Sequence, residues 1–100
     1  MPPLNERVYE VVRQIAFGTV ASYAQVSALV PGSTPRLVGY AMAVSSPESD
    51  LPWHRVINSK GKISIRSSGP GADIQRRMLE DEGVRFNQKG AVDFACYGWL

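Results

Sequence analysis

Five residues, Pro31–Pro35, restrict the fold of this chain more than any other stretch. They read PGSTP, and a helical pattern lies on each side of them. Pro31 and Gly32 end the earlier helix, because proline has no amide hydrogen and glycine favours turn conformations. Thr34 then offers a side-chain cap, and Pro35 takes the first helical position, where a missing amide hydrogen costs little. The stretch therefore predicts two short helices joined by a tight turn.

The starts and ends of these two helices are marked in the sequence. Ser22 and Gln25 fit a capping box, in which the serine accepts from a first-turn amide and the glutamine reaches back to the cap. We predict that this helix runs to about Leu29 and that the next runs from Pro35 to about Val44. Such a pair is typical of a helix-turn-helix, whose later helix meets DNA. A plain helical hairpin fits equally well, and the pattern leaves both open.

Helical spacing of apolar residues predicts two further helices. The first covers Asn5–Phe17, with Asn5 as its cap and Gly18 as its stop. The other covers Asp73–Glu82 and is predicted to end before Gly83. The side chains predicted to point inward from this last helix are Ile74, Met78 and Leu79.

A β-hairpin is predicted between these helical segments. His54–Ile57 is a short run containing β-branched residues, and Lys62–Ile65 alternates polar and apolar side chains across the turn Asn58–Gly61. The aromatic tail from Val84 to Leu100 is predicted to cover the core. The fold class predicted from these elements is mainly α with a small β-hairpin, as a single winged helix-turn-helix-like domain.

Length and composition narrow the class of protein. One hundred residues are predicted to form one domain, 1–100, because so short a chain buries a single modest core. No apolar run approaches the roughly 20 residues a bilayer requires, and the N-terminus lacks the apolar core of a signal peptide. We expect an intracellular monomer, in the cytoplasm, nucleoid or nucleus, without membrane contact. One cysteine and one histidine exclude an internal disulfide and a structural zinc site, so neither metal nor cofactor is expected.

Four ordered blocks together resemble a known family. They read GTVASY at 18–23, PRLVGYAM at 35–42, PWHRVINSKGKIS at 52–64 and LEDEG at 79–83. From about Ile15 to Gly83 the chain resembles the DNA-binding domain of the O6-alkylguanine-DNA alkyltransferases. In those enzymes the pentapeptide is PCHRV, and its cysteine takes the alkyl group from a flipped guanine. Trp53 stands in that place here, as in the alkyltransferase-like proteins. The resemblance implies a non-enzymatic sensor that flips O6-alkylguanine out of double-stranded DNA and directs it to nucleotide excision repair proteins.

The chemistry of Trp53 fits a sensor better than an enzyme. Alkyl transfer requires a soft nucleophile whose proton a neighbouring base accepts, whereas an indole N–H can only donate. Its flat ring can instead stack on a base, which is worth about 1–3 kcal/mol. The resemblance makes His54 and Glu82 the pair that activates the thiol in the transferases, left here with a structural role. Trp53 and His54 also fit ordinary core side chains.

The resemblance also assigns DNA contacts. Arg36 matches an arginine finger that enters the base stack through the minor groove, where a planar guanidinium both stacks and donates hydrogen bonds. Tyr23 matches a tyrosine that presses on the phosphate 3′ of the lesion, and Ser22 and Thr34 complete the predicted DNA-binding set. A solvated arginine and a half-buried tyrosine are the ordinary alternatives for Arg36 and Tyr23. The lesion pocket is predicted to contain Trp53, Arg66, Pro52 and His54.

Some features depart from the transferase pattern and leave rival functions open. The Asn-Pro pair that braces the active-site loop is replaced by Ser45-Ser46-Pro47, so either serine is a candidate for a weaker brace. Cys96 has apolar neighbours and is predicted to be buried and inert. One rival is a residual enzyme, either an alkyltransferase with another acceptor or a hydrolase using His54 and a serine, although no G-x-S-x-G order supports the latter. The other rival is a generic winged-helix regulator that reads base edges.

Overall fold

Three short helices build the N-terminal part of the computed structural model, which describes residues 3–45, 50–63 and 71–100. Helix α1 spans Leu4–Val12, α2 spans Tyr23–Ala28 and α3 spans Pro35–Ala43. Helices α2 and α3 pack on each other, and both contact α1. The side chains that these helices bury in the main core include Val8, Val12, Val26, Val38 and Ala41.

The predicted starts of α2 and α3 are confirmed. Ser22 Oγ accepts a hydrogen bond from the Gln25 amide at 3.0 Å, and Thr34 Oγ1 accepts one from the Leu37 amide at 3.2 Å. The reciprocal half of the capping box is wrong, because the Gln25 side chain donates to the carbonyl of Trp99 instead. The C-terminal segment lies beside the start of α2 and offers that acceptor, which the local pattern does not reveal.

Helix α1 is shorter than predicted at its C-terminal end. It begins at Leu4 after Pro3, without a side-chain cap, and it ends at Val12 rather than at Phe17. The amides of Gln14 and Ile15 donate to carbonyls only three residues back, so the chain leaves the helix as a turn. Ile15 is buried nonetheless, which explains why the apolar pattern continues past the true helix end.

The described strands form a small parallel sheet. Strand β1, Ala21–Ser22, pairs with β2, Val56–Ile57, with Ala21 opposite Val56 and Ser22 opposite Ile57. A parallel pair needs a long connection, which here carries α2, α3 and the segment that precedes β2. The sheet therefore connects the start of α2 to the PWHRV segment, and the prediction of a mainly helical fold is confirmed.

The predicted hairpin is present as a turn but not as the main strand pairing. The Asn58 amide donates to the Lys62 carbonyl at 3.0 Å, which closes the turn as expected. Lys62 then bridges antiparallel to Ala91 in the tail, whereas the partner of β2 is β1. The rest of the predicted second wing strand, 64–65, lies outside the described residues.

Helix α4, Gly71–Asp81, carries its buried face on different residues from those predicted. Leu79 is fully buried as expected, and Met78 is partly buried. Ile74 is 49% exposed, so its inward placement is wrong, and Gln75 is buried instead. The Gln75 amide donates to two backbone carbonyls of the PWHRV segment, which a leucine or isoleucine could not satisfy.

The tail packs on the core, as predicted. It forms one helical turn, α5 at Phe94–Tyr97, and then runs beside Val20 through two backbone hydrogen bonds. A second small core lies beneath this tail and consists of Val20, Ile57, Leu79, Val84 and Val92. Over the described ranges, no helix has the length and apolar character required to cross a bilayer.

Candidate functional site

The PWHRV segment is a tight double turn. Pro52 has φ −78° and ψ 59°, and the Trp53 amide donates to the Leu51 carbonyl at 2.8 Å, which together define an inverse γ-turn. A single 3₁₀ turn, Trp53–Arg55, follows before β2 begins. Because a 3₁₀ helix has three residues per turn, the side chains of Trp53, His54 and Arg55 diverge in three directions.

A cleft of about 530 Å³ opens beside this turn. Three of the four residues predicted for the lesion pocket, Pro52, Trp53 and His54, line it. Arg66 lies outside the described residues. The cleft has the size of a small-molecule pocket and therefore has room for a single extruded base. The complete lining consists of Arg13, Asp50, Leu51, Pro52, Trp53, His54, Arg55 and Met78.

Behind the cleft, the Glu82 carboxylate accepts hydrogen bonds from three residues. His54 Nε2 lies 2.6 Å from Oε2, and the Gly18 amide donates to Oε1 at 2.8 Å. Arg55 donates through Nε at 3.0 Å and through Nη2 at 2.9 Å. The side chains of His54, Arg55 and Glu82 are all largely buried. The predicted His54–Glu82 pair is thus in contact, as part of a larger network.

The backbone at the end of α4 aims the Glu82 side chain. Gly83 has φ +90°, a conformation that glycine adopts without strain, and its amide donates to the Glu80 carbonyl. The Val84 amide donates to the Leu79 carbonyl at 3.0 Å, completing a Schellman motif. The prediction that Gly83 ends this helix is confirmed, and Glu82 occupies the C-cap position with its carboxylate turned inward.

The Glu82 carboxyl remains ionised well below neutral pH. Burial alone would raise the pKa of Glu82, but the hydrogen bonds from Arg55, Gly18 and His54 outweigh it and lower the pKa to about 2. An ionised carboxylate only accepts hydrogen bonds, so the Nε2 atom of His54 carries the proton that lies between them. The Nδ1 atom of His54 is buried and has no hydrogen-bond partner among the described residues.

Arg55 is a residue of this network that sequence reasoning missed. Its Nη1 donates to the Ile15 carbonyl at 2.9 Å, and its guanidinium lies 5.6 Å from the centre of the Phe17 ring. The guanidinium therefore joins the PWHRV turn to the segment after α1 as well as to Glu82. The available signal was the arginine of PWHRV itself, since a buried glutamate beside a histidine needs a permanent positive charge.

A second concavity, the α2–α3 hollow, lies at the helix-turn-helix and measures about 400 Å³. Tyr23 and Arg36 both line it, so the structure brings these two predicted DNA contacts together. Arg36 is exposed, and its side chain has no hydrogen bond or ion pair within the part of the chain described. The side chains of Ser22 and Thr34 serve as helix caps. The residues of the hollow are Tyr23, Pro35, Arg36, Gly39 and Tyr40.

The remaining predictions concern the serine brace and the burial of Cys96. Ser45 Oγ donates to the Met42 carbonyl at 2.8 Å, within its own turn, while Ser46 lies outside the described residues. Cys96 is exposed, so its predicted burial is wrong. Phe94 and Tyr97 occupy the inward face of the single turn α5, which leaves Cys96 on the outside near Asp93.

The chain is similar to known proteins over most of its length. The family model described as "6-O-methylguanine DNA methyltransferase, DNA binding domain" matches residues 3–84. Alkyltransferase-like protein 1 of Schizosaccharomyces pombe is 43% identical over 95 residues, which cover 94% of this chain and 88% of that protein. The DNA base-flipping protein of Escherichia coli K12 is 37% identical over 94% of this chain and 72% of its own length.

Solved structures extend the comparison to the fold. The crystal structure of S. pombe Atl1 in complex with damaged DNA containing O6-carboxymethylguanine superposes with a TM-score of 0.87 at 36% identity. The superposition covers 100% of this chain and 99% of the Atl1 chain. Mycobacterium tuberculosis OGT in complex with DNA gives a TM-score of 0.69 at 30% identity, over 82% of this chain and 50% of that one. The winged-helix-like fold predicted from the sequence is confirmed by these likenesses.

Proposed function

Because the chain belongs to the alkyltransferase-like proteins, within the family of 6-O-methylguanine DNA methyltransferase DNA-binding domains, we propose that it is a DNA damage sensor. It binds O6-alkylguanine in double-stranded DNA by nucleotide flipping. It leaves the alkyl group on the base, and it acts as an intracellular monomer.

The observation that carries this proposal is the position of Trp53 in the cleft, where the transferase motif has its acceptor cysteine. Alkyl transfer would need a nucleophile at that position, and the indole supplies only a ring face and an N–H donor. Its half-buried ring forms an edge-to-face pair with His54, with 6.1 Å between ring centres and 83° between planes. A ring held in this way can stack on or abut an extruded base without forming a bond to it.

The network behind the cleft has a structural role in this proposal. His54 and Glu82 would form a base and its orienting acid if a thiol stood at position 53. Without one, the hydrogen bonds from His54 and Arg55 to Glu82 hold the PWHRV turn against α4. The proposal therefore treats the network as a brace that keeps Trp53 in position.

Flipping requires a second set of contacts, which α2 and α3 supply. An O6-alkyl group is shielded inside the base stack, so a protein that binds it must turn the nucleotide outward. Arg36 is exposed at the start of α3 and is the group proposed to fill the vacated space in the duplex. Tyr23, which lines the same hollow, is proposed to press on the phosphate 3′ of the lesion.

A sensor without repair chemistry must pass its lesion to another system. We propose that the bound complex directs the lesion to nucleotide excision repair proteins. In a reconstituted excision reaction on an O6-methylguanine duplex, the protein should increase the yield of excised oligonucleotide, and Trp53→Ala should not. Equal yields with and without the wild-type protein would contradict this step.

The non-enzymatic part of the proposal is tested by following the alkyl group. After incubation with a duplex whose O6-methyl group is radiolabelled, the label should remain on the DNA, and mass spectrometry should find the protein unmodified. A methylated protein would instead establish a transferase with another acceptor. A generic regulator would discriminate among operator sequences, and its binding would survive Trp53→Ala.

A further inference from the structure

An exposed aromatic side chain, Tyr40, lies in the α2–α3 hollow and has no place in the function proposed so far. It follows Arg36 by four residues on α3, so the two side chains share one helix face. Tyr40 is 62% exposed although it is aromatic. Gly39, beside it, is buried and presents no side chain, which leaves the hollow open. A large exposed ring at the wall of an open hollow is suited to contact another molecule.

The charges around the hollow select the kind of molecule. Among its five lining residues there is one guanidinium, Arg36, and no carboxylate. Helix α3 contains no aspartate or glutamate over its whole length, Pro35–Ala43. The remaining lining consists of the apolar surfaces of two tyrosine rings and a proline, together with the hydroxyl of the exposed Tyr40. This combination suits a unit that is both anionic and partly apolar, and a deoxyribose with its phosphate is such a unit.

On the basis of the proposed function, we propose that Tyr40 is a DNA-contact residue outside the lesion cleft. Its ring packs against the deoxyribose of a nucleotide flanking the lesion, and its hydroxyl donates a hydrogen bond to the adjoining phosphate. Arg36 and Tyr40 both line the hollow. When the Arg36 guanidinium enters the duplex, the flanking nucleotide therefore lies within reach of Tyr40. Tyr40 thereby strengthens binding to the duplex as a whole, while Trp53 distinguishes the lesion.

If Tyr40 contributes to overall DNA affinity and Trp53 to lesion discrimination, two quantitative results are expected. Since Tyr40 contacts backbone rather than the altered base, its removal should lower affinity for lesion and undamaged duplexes by the same factor. Since a phenol is uncharged, its removal should not alter the slope of log K against log salt concentration. A lesion-pocket residue would change the ratio of the two affinities, and a cationic phosphate contact would change the slope.

The test measures dissociation constants by fluorescence anisotropy for lesion and undamaged duplexes at several salt concentrations. Tyr40→Ala should weaken binding to both duplexes about tenfold, with an unchanged ratio and slope. Tyr40→Phe, which keeps the ring, should weaken both about threefold through loss of the hydroxyl. Ile74→Ala is the matched control, because Ile74 is an exposed apolar residue on α4 that does not line the hollow. That variant should bind like the wild type.

Single methylphosphonate substitutions in the DNA locate the contact. At one phosphate flanking the lesion, the neutral linkage should abolish the difference between wild type and Tyr40→Phe, whereas at other positions the difference should persist. Tyr40→Ala binding within twofold of wild type, or a loss confined to the lesion duplex, would overturn the proposal. If the wild type showed no lesion preference, the sensor function would fail, but the Tyr40 contact would still be read on undamaged DNA.

Discussion

Replacement of Glu82 by glutamine tests the brace behind the cleft. The Glu82 carboxylate acts only as an acceptor, and its three donors are the Gly18 amide, the Arg55 guanidinium and His54 Nε2. Glutamine offers one acceptor oxygen, so its NH₂ group must face one of these donors. The substitution also leaves the largely buried Arg55 without its counter-ion, which is a strongly destabilising kind of change.

The pKa of Glu82 gives the size of the effect. A carboxyl whose pKa is about 2 in the folded chain, against an ordinary value of 4.5, contributes about 3 kcal/mol to stability at neutral pH. Because the folded pKa is the lower one, this contribution is fully present above about pH 5 and disappears as the pH falls towards 2. Glu82→Gln should therefore lower the free energy of unfolding by about 3 kcal/mol at pH 7. At pH 3 the deficit should shrink by about 2 kcal/mol.

Urea denaturation at pH 7 and pH 3 measures both quantities. The control is Glu80→Gln, which removes an exposed carboxylate that lies 3.5 Å from Arg76 on the same helix. An exposed pair of this kind contributes less than about 0.5 kcal/mol, so this variant should unfold like the wild type. A loss below about 1 kcal/mol for Glu82→Gln, or a loss equal at both pH values, would show that the ionised Glu82 carboxylate does not stabilise the fold.

Further predictions concern a close approach, a buried amide and the proposed finger. Gly61→Ala should cost at least about 3 kcal/mol, because φ is +78° and the new Cβ would lie 2.3 Å from the Val92 carbonyl oxygen. Gly32→Ala, with φ +86° in open space, should cost only about 1 kcal/mol, and urea denaturation compares the two. Gln75→Leu should lose about 2 kcal/mol in the same assay, since two buried carbonyls lose their donor. Arg36→Lys keeps the charge but not the planar donor group, so it should weaken lesion binding by about 1–3 kcal/mol and reduce the fluorescence of 2-aminopurine placed at the flipped position. If the lysine variant bound the lesion as tightly as the wild type and gave the same 2-aminopurine fluorescence, Arg36 would not be the finger.

Features set by nearby residues were predictable from the sequence. The caps Ser22 and Thr34 and the glycine stop Gly83 each act within a few residues, and all three are confirmed. The errors arise where distant segments compete for the same groups. The Gln25 side chain donates to a carbonyl of the tail instead of completing its capping box. Gln75 lies on the buried face of α4 because it donates to carbonyls of the PWHRV segment.

The site was predictable to the extent that one motif contains it. PWHRV placed Trp53 and His54 together, and the structure puts both on the wall of one cleft. Arg55 was missed because its role depends on contacts between segments that are far apart in sequence. The Glu82 carboxylate accepts hydrogen bonds from both Gly18 and Arg55. The exposure of Tyr40, on which its proposed DNA contact rests, was not predictable because neither periodicity nor motif matching indicates which aromatic side chains remain exposed.

Recognition of an O6-alkyl group by the cleft beside Trp53 is tested most directly by equilibrium binding to matched duplexes. The duplexes differ only in guanine, O6-methylguanine or a bulkier O6 adduct at one position, and the salt concentration is held constant because phosphate contacts depend on it. Because burying one methyl group against the ring is worth about 0.8 kcal/mol, O6-methylguanine should bind about fourfold more tightly than guanine and the bulkier adduct more tightly still, and Trp53→Ala should remove the difference. Equal affinities of the wild-type protein for all three duplexes would show that the cleft does not recognise the alkyl group.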